Sequence, residues 1–424
     1  MNKLLKIGGL LGLLTSQINA ETLVVFPGQS IQEKIDAAVD GDIIAIFGGS
    51  YFPDITINKR VRLVEVSGQE VKLFGTVTFD GVENCPPFEG FEVGPEKGIV
   101  VSNCTGLVIS EITVPSYTQN GGSVSLSEVS IAGSATQDSG SLDLSGVTIG
   151  GNFSTGSGAV KTVAFRTTVT GDCNWASNRS WFGYGKARSF NFNGSDAKVV
   201  FVGGEIDRLG SGADGMLLRG NNNTITITNS KITGTRDQNG TSEANIEITG
   251  SGHTVRILNN YLNKEFRQGY TSGGEDLNVV SSVSTLTVAN NIVSNTVDGM
   301  VYAPAGAVVT NNHSENSSNY GVSGGVVAST TTAGDPLFVD GNVYELGEGS
   351  PCIDAGTENA RYNDRDGTRN NIGPSGGSWY DPEGWTTEKP VVISFDLLPD
   401  QVLQGVDTEV TVDDVRAVSS PAQN

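Results

Sequence analysis

The sequence is poor in the residues that metal centres, catalytic triads and membrane anchors require. It contains two His and four Cys in 424 residues, with no CxxC pair and no Cys/His cluster. A zinc site or a Ser-His-Asp triad is therefore not expected. After residue 20, no apolar run reaches the roughly 18–20 residues that a membrane-spanning helix needs, so we expect no membrane span.

Basic charge and aromatic side chains are also scarce. Aromatic residues make up 7% of the chain, and 26 Lys and Arg stand against 47 Asp and Glu, which gives a net charge of −21. Nucleic acids and anionic membranes attract basic proteins, so neither is expected as a partner. The acidic balance suits a solvated, secreted protein, and it leaves room for a local basic cleft that binds an anionic polymer.

The first residues have the pattern of a secretory signal peptide. Lys3 and Lys6 precede the apolar residues 7–14, and Ala20 offers a small side chain at the cleavage position. We therefore expect residues 1–20 to be removed. The mature protein would be extracellular, periplasmic or held at the cell surface.

Cysteine usage leaves the question of disulfides open. Cys85 and Cys104 are 19 residues apart, which is about one coil of the repeat described below. A disulfide between them would be allowed in an oxidising compartment, although the sequence does not fix the pairing.

A repeated pattern of short strands is the strongest signal in the sequence. Two apolar residues separated by one position are followed three residues later by a small, apolar or bend-forming residue. A further apolar position comes two residues after that. Successive copies are spaced 17 to 36 residues apart, and they begin at Leu107, Val124, Leu142, Val163, Val199, Ile225, Val255, Leu286 and Ala307. One such unit cannot bury its apolar face alone, so the copies must stack into a solenoid.

A second set of strands lies between these copies in the later coils. These strands are predicted to begin at Met216, Ile246, Leu277, Met300 and Val322. Together the two sets predict an all-β fold, a single-stranded right-handed parallel β-helix with a short N-terminal capping helix. In this fold Ile227, Ile257 and Val288 would be neighbours in one inward column.

The bend of the repeat changes its chemistry along the chain. Early copies carry Ile112, Val129 and Val147 at this position, the next copies carry Gly204 and Ser230, and late copies carry Asn260, Asn291 and Asn312. The copy with Asn312 is a faded form of the repeat. Asparagine tolerates the left-handed backbone conformation that a bend can require. Stacked coils would place these side chains in a hydrogen-bonded ladder.

Both ends of the chain resemble those of a known family. Residues 28–59 read GQSIQEKIDAAVDGDIIAIFGGSYFPDITINK, in which residues 30–39 predict a short helix capped by Ser30, with Ile31, Ile35 and Val39 on one face. This segment resembles the N-terminal cap of secreted, pectin-lyase-like right-handed β-helix proteins. Residues 335–356, followed by residues 363–377, resemble the C-terminal segment of bacterial members.

The resemblance covers about residues 22–378 and implies a fold rather than an activity. The family includes polysaccharide lyases, hydrolases, epimerases, tailspikes and adhesins, so function must be inferred from a site. The chain organisation that follows is a signal peptide (1–20), cap and first coil (21–60), β-helix coils (61–334), C-terminal β-helix segment (335–385) and an extension with a disordered end (386–424).

A candidate sugar-binding segment lies at residues 173–195, where aromatic and basic residues alternate in an otherwise acidic chain. Aromatic faces stack on sugar rings, and Arg or Lys pairs with uronate or sulfate groups. The predicted substrate-binding residues are Trp175, Arg179, Trp181, Tyr184, Lys186 and Arg188. The alternative is a looped coil that packs its aromatic residues on the flank of the solenoid.

A candidate calcium site lies where strands of the second set begin. Asp214, Glu275 and Asp298 are each placed two residues before such a strand, and Asp276 follows Glu275. Carboxylates stacked about 5 Å apart could supply the oxygen ligands that Ca²⁺ prefers. Glu275, Asp276 and Asp298 would be nearest to the ion, with Asp214 two coils from Glu275. No other cofactor is indicated.

The resemblance also implies a chemistry, in which a Lys or Arg removes the proton next to a uronate carboxylate. Lys264, Arg267 and Arg236 lie on the longest coils and are the candidates for this base. The function expected is that of a monomeric, secreted protein that binds an extracellular anionic polysaccharide and cleaves it by β-elimination.

Two alternatives remain open. One is a non-catalytic adhesin or structural β-helix. The other is a glycoside hydrolase in which Asp214 pairs with Glu275 or Asp298 at about 5–9 Å. Residues 363–367 resemble part of a calcium loop, but we interpret them as a turn because Pro374 occupies the position of the final bidentate ligand.

Overall fold

A computed structural model describes most of the chain after the predicted signal peptide. The described residues are 20–66, 68, 70–208, 215–235, 244–265, 277–279, 285–294, 301–302, 306–315, 322–323, 328–329, 332–382, 384, 391–398 and 411–418. At 235, 264–265, 277–279, 301–302, 322–323, 328–329, 391–398 and 411–418 only the backbone is described. Residues 1–19 and the predicted disordered end from about residue 419 lie outside this set. No helix of the described part is long and apolar enough to cross a membrane.

The predicted fold is confirmed, because the chain forms a parallel β-helix whose coils present three faces. We call them face I, face II and face III, in the order in which the chain runs through each coil. On face I the strands are Ile55–Ile57, Val77–Asp80, Met216–Leu218, Ile246–Ile248, Leu277–Val279, Val301–Tyr302 and Val322–Ser323. On face II they are Phe88–Glu89, Arg179–Gly183, Lys198–Val202, Thr224–Thr228, Thr254–Leu258, Thr285–Ala289, Val308–Thr310 and Ala328–Ser329.

Several strands bend across a corner and so belong to two faces. Those that run from face I to face II are Ile99–Ser110, Tyr117–Ser127, Ala135–Ser145 and Phe153–Phe165, and those that run from face III to face I are Thr168–Trp175 and Lys186–Phe192. The remaining face III strands are Thr113–Val114, Ser130–Ile131, Thr148–Ile149, Glu205–Asp207, Lys231–Thr235, Tyr261–Glu265, Ile292–Ser294, His313–Ser314 and Thr332–Ala333.

Two three-stranded parallel sheets form the N-terminal end of the stack. One pairs Thr22–Val25, Ile43–Ile46 and Arg62–Glu65, and the other pairs Gly49–Tyr51, Val71–Leu73 and Glu92–Val93. Two antiparallel pairs follow the coils, Phe338–Val339 with Asn342–Leu346 and Val391–Leu398 with Thr411–Val418. Within the described residues, the helices are the α-helix Ile31–Ala37 and the 3-10 helix Ala360–Tyr362.

The inward column predicted from the repeat is present. Ile227 pairs in register with Ile257, and Ile257 pairs with Val288. All three side chains are at most 1% exposed. The spacing of apolar residues therefore set the register, because a slip of one residue would turn every inward side chain outward.

The predicted register of the second strand set is wrong at one position. Leu277 pairs with Val301 rather than with Met300, and Val301 pairs in turn with Val322. Asp298 consequently precedes its strand by three residues, whereas Glu275 precedes its strand by two.

The corner between face II and face III contains a residue with a left-handed backbone conformation. This is true of every coil from residue 111 onward whose corner the structure describes. These corner residues have φ angles between 48° and 64° and are Glu111, Glu128, Gly146, Arg166, Tyr184, Gly203, Asn229, Asn259, Asn290 and Asn311. The left-handed conformation thus falls one residue before the position predicted for it. The predicted ladder is present at the next residue, where the side chains of Asn260, Asn291 and Asn312 are stacked.

The N-terminal helix closes the first coils as predicted, with one difference. The Ser30 hydroxyl accepts a hydrogen bond from the amide of Glu33 at 3.2 Å, and Ile31 and Ile35 are buried. Val39 is 53% exposed, because the helix ends at Ala37 before another turn can bring this residue to the buried face. The ammonium group of Lys59 donates to the carbonyls of Ile35, Asp36 and Ala38 and so satisfies the helix end.

Residues 355–382 and 384, the C-terminal strap, run back along the column of corner residues. The Asn311 side chain donates to the carbonyls of Ala355 and Gly356, both at 3.1 Å. One coil earlier, the Asn290 side-chain oxygen accepts from the amide of Thr357 at 2.9 Å. Two coils earlier again, the Asn229 side chain reaches the carbonyls of Pro374 at 2.8 Å and Gly376 at 2.6 Å.

Glycine is required where the strap approaches the solenoid most closely. Gly373 has φ 102°, and a β-carbon there would lie 2.5 Å from the Ile292 side chain. The predicted turn at residues 363–367 belongs to this strap. The Asp366 carboxylate accepts from the amide and hydroxyl of Thr368, and the Asp364 carboxylate accepts from the amide of Asn371, so both acids have structural partners.

All four cysteines are free and buried, so the disulfide that the sequence would allow between Cys85 and Cys104 is not formed. Burial raises the pKa of Cys85 and of Cys352 to about 12. At neutral pH these groups are therefore thiols packed in the core rather than reactive thiolates.

Candidate functional site

The aromatic segment at residues 173–195 is part of the coils rather than a platform on their surface. Trp175 is 0% exposed and makes edge contacts with the rings of Phe153 at 5.3 Å and Phe190 at 5.1 Å. The prediction that Trp175 binds a sugar is wrong, because its ring has no accessible face. Strand alternation turns this residue, with Phe182 and Phe190, into the core.

Tyr184 is also a structural residue. It occupies the left-handed corner of its coil and packs against Phe165, with ring centroids 6.0 Å apart. Its hydroxyl donates to the carbonyl of Trp379 in the strap, and burial raises the pKa of the phenol far above its ordinary value. The predicted role in sugar binding is corrected to a role in holding the strap.

The remaining four predicted substrate-binding residues are on two different faces. Arg179 and Trp181 belong to the face II strand Arg179–Gly183, where Trp181 is half-buried against Phe165. Lys186 and Arg188 belong to the strand Lys186–Phe192 and project outward from face III. The six residues therefore do not form one site, and only the pair on face III lines a groove.

An open groove of about 320 Å³ lies on face III. The strand that carries Lys186 and Arg188 runs along its middle, with Glu205 and Asp207 of the next coil on one side and Val169 and Thr170 of the preceding coil on the other. The alternation Lys-Ala-Arg and Glu-Ile-Asp directs the charged residues of both strands outward, while Ala187 and Ile206 point inward. Stacking in register sets opposite charges side by side, because Lys186 pairs with Glu205 in the ladder.

Ion pairs hold the cations of this groove. The Lys186 ammonium lies 2.8 Å from the Glu205 carboxylate, and the Arg188 guanidinium lies 2.6 Å from that of Asp172. The Arg208 guanidinium binds the other oxygen of Asp172 at 2.9 Å, and the Ser189 hydroxyl donates to the same oxygen at 2.7 Å. The hydrogen bond from Arg188 is the main reason why the pKa of Asp172 lies below its ordinary value.

These pairs are accessible to a ligand in different degrees. The side chains of Lys186 and Arg188 are 55% and 49% exposed, so water and salt screen their pairs and an incoming carboxylate can compete for them. Arg208 is more deeply placed, and its Nε–H is buried without an acceptor in the part of the chain that the structure describes. The arrangement can bind carboxylate or sulfate groups of a polymer that lies across the coils.

Sequence reasoning missed Asp172, Arg208, Glu205 and Asp207. They are up to 36 residues apart and meet only because the coils stack. One signal was available, since Glu205-Ile206-Asp207 repeats the outward–inward–outward alternation of Lys186-Ala187-Arg188 one coil later.

The predicted base and metal residues lie largely outside the described set. Lys264 is described by its backbone alone, which pairs with Gly234 in the face III strands that follow the groove. Arg236, Arg267, Asp214, Glu275, Asp276 and Asp298 lie outside the described residues, so these assignments stay predictions. Asn245, next to the proposed calcium position, is buried and accepts from the amide of Gly234 at 2.8 Å. Among the described residues, no group of three or more His, Cys, Asp or Glu could hold a metal ion.

Comparison with known proteins assigns neither a family nor an activity to the chain. No family model and no curated protein matches the chain. Among solved structures, the chain is similar to that of the pectate lyase Pel9A, with 17% sequence identity over 85% of this chain and 97% of the other and a TM-score of 0.32.

Proposed function

We propose that the protein binds an extracellular anionic polysaccharide along the groove of face III. The observation that carries this proposal is the groove itself, where Lys186 and Arg188 stand half exposed in a chain with a net charge of −21. A polymer laid across the coils would meet a new strand about every 4.8 Å, a spacing comparable to that of successive sugar residues.

Binding would proceed by exchange of carboxylates. A uronate group takes the place of Glu205 on Lys186, or shares the Arg188 guanidinium with Asp172. Each exchange replaces one screened ion pair by another, so the gain per contact is small and affinity depends on several contacts along the polymer. Affinity should fall steeply with salt.

Cleavage by β-elimination is the finer part of the proposal. It requires a base near a uronate whose carboxylate is neutralised, because only then does the neighbouring proton become removable. The candidates for this base are Lys264, Arg236 and Arg267. Lys264 belongs to the coils that follow the groove. Positive neighbours lower the pKa of a Lys or Arg and would make such a base effective. Calcium at Glu275 and Asp276 would supply further neutralisation.

The test combines a double variant with a matched control. Lys186→Ala with Arg188→Ala should weaken binding to immobilised polygalacturonate or alginate about tenfold in low salt, which corresponds to about 1.4 kcal/mol. Lys72→Ala is the control, because Lys72 makes a similar exposed pair with Glu92 at 2.7 Å but lies several coils away. Equal binding by the three proteins would contradict the proposal. Ultraviolet absorbance of an unsaturated product, with and without Ca²⁺, tests elimination separately.

A non-catalytic structural or adhesive role is the second candidate. The observation that favours it is that Lys186, Arg188 and Arg208 all have carboxylate partners within the chain. A surface whose charged side chains pair with each other needs no ligand, and it can serve as a rigid, hydrated structural surface. Absence of binding to every anionic polysaccharide, with the melting temperature lowered in the groove variants, would support this role.

A further inference from the structure

A second cleft, of about 90 Å³, lies between face II and the C-terminal strap. Its solenoid wall is formed by outward residues of the strands Thr224–Thr228 and Thr254–Leu258, including Arg256. Its other wall is formed by the strap, including Arg361, Tyr362 and Trp379. The cleft is on a different face from the groove of face III and shares no lining residue with it.

The charge of this cleft is opposite to that of the protein. Two arginines line it and no Asp or Glu does, although acidic residues outnumber basic ones 47 to 26 in the chain. In the groove of face III every lining cation has a carboxylate partner, whereas within the described residues neither Arg256 nor Arg361 has one. Two guanidinium groups with available donors favour a planar anion such as a carboxylate.

The aromatic residues of the cleft add a second element of recognition. Trp379 is 52% exposed, which is unusual for a side chain of this size, and Tyr362 lies nearby in the strap. Exposed aromatic faces beside polar groups are suited to stack on the apolar face of a sugar ring. The volume is about six times the roughly 15 Å³ that one water molecule requires, so a single monosaccharide unit is an appropriate occupant.

We propose that this cleft binds one residue of an anionic sugar, with its carboxylate on Arg256 and Arg361 and its ring against Trp379. The site shares its ligand class with the proposed function but not its residues. The strap completes it, since without residues 361–379 the face II strands would present only an open surface. An inorganic anion would satisfy the arginines but would not use Trp379, which separates the two ligands experimentally.

The experiment uses the full mature chain that already carries Lys186→Ala and Arg188→Ala, so that the groove of face III is disabled. Binding of trigalacturonate, a neutral trisaccharide and sodium sulfate is measured by calorimetry. Arg256→Gln and Trp379→Ala should each weaken trigalacturonate binding at least tenfold. Arg219→Gln is the control, since Arg219 is exposed and lies outside the cleft, and it should have no effect.

The possible results separate the two sites. Binding of trigalacturonate that is lost in Arg256→Gln and Trp379→Ala but kept in Arg219→Gln establishes the cleft, whether or not the groove also binds. Complete loss of binding in the groove variant itself would overturn the cleft and leave the proposed function intact. Equal affinity for sulfate, insensitive to Trp379→Ala, would overturn the sugar assignment and leave an anion site only. Melting temperatures show that each variant is folded.

Discussion

In the first half of the β-helix the residue after the left-handed corner is apolar and points into the core at positions 112, 129 and 147, whereas in the second half it is an asparagine at positions 260, 291 and 312. Ile112, Val129 and Val147 are buried among hydrophobic neighbours. Asn260 and Asn291 are equally buried but donate from their side-chain amides to the next asparagine, each at 3.0 Å. One backbone shape is therefore compatible with two kinds of interior, provided that buried amides are satisfied.

The outer residue of the corner differs between the halves as well. Glu111 is exposed to solvent, whereas Asn259 donates to Asn370 and to the carbonyl of Asn371, both at 2.8 Å. The Asn-Asn pairs of the second half thus serve two surfaces, with the first residue directed to the strap and the second to the ladder. The comparison teaches that the strap and the ladder are one system, encoded by adjacent residues.

The largest effect is expected from breaking the ladder at its middle. In Asn291→Ala the side-chain bonds to Asn312, to the carbonyl of Ile257 and to the amide of Asn260 are lost. Buried polar groups are left without partners, so we expect a loss of about 3 kcal/mol in the free energy of unfolding. Urea denaturation followed by circular dichroism measures it. Val129→Ala, at the equivalent position of the first half, should cost about half as much; equal losses would erase the distinction between the halves.

A matched pair of glycine substitutions tests the outer corner residues. Asn259→Gly keeps a backbone suited to φ 55° but removes four hydrogen bonds to the strap, so we expect a loss of about 2 kcal/mol in the free energy of unfolding. Glu111→Gly relieves the strain of a bulky residue at φ 53° and breaks no hydrogen bond to the strap among the described residues, so it should change stability little or raise it by up to about 1 kcal/mol. In thermal melts the midpoint should fall for Asn259→Gly and stay unchanged or rise for Glu111→Gly. A similar fall in both variants would contradict a role for Asn259 in holding the strap.

The smallest effect concerns pH. Both histidines belong to the second half, and burial lowers the pKa of His313, whose ring contacts Thr332 and the carbonyl of Gly334. The imidazole of His313 therefore binds a proton more readily in the unfolded chain than in the folded chain. Protonation favours unfolding, so the free energy of unfolding should fall as the pH drops below about 6.5. The loss from His313 is at most about 1.4 kcal/mol per pH unit.

Melting curves between about pH 7.5 and about pH 5 check this expectation. His313→Gln cannot titrate, so its melting temperature should depend less on pH than that of the wild type. The other acidic and basic groups are common to both proteins and cancel in this difference. An identical pH dependence would show that His313 does not titrate in this range.

The fold could be predicted because it depends on periodicity. Ile227, Ile257 and Val288 are placed by strand alternation, which the sequence displays directly. The slip at Met300 arose in a strand of only two residues, where Met and Val satisfy the same apolar position equally well. The left-handed corners could not be predicted at Glu111 or Tyr184, because their side chains disfavour that conformation and the stack alone imposes it.

The candidate site was less predictable than the fold. The aromatic and basic composition of residues 173–195 predicted a sugar-binding segment. Composition does not distinguish inward from outward side chains, and Trp175 points inward. The partners of Arg188 and Lys186 come from other coils, so their meeting depends on register rather than on local sequence. The cleft beneath Trp379 was invisible to sequence analysis, since it exists only because the strap folds back over face II.

The strap also changes how the solenoid should come apart. Stacked repeats contact only their neighbours, so their stability is close to a sum of local terms, and ends can fray one coil at a time. Here the strap bonds to coils that are far apart in the stack. Arg166 donates to the carbonyl of Gly384, 218 residues away, and Asn311 donates to the carbonyl of Gly356. The strap therefore connects five or more coils. Those coils must open together or first release the strap. The unfolding of the coils that the strap contacts is therefore cooperative over a long range. During synthesis this cooperativity is acquired only after the last coil has formed.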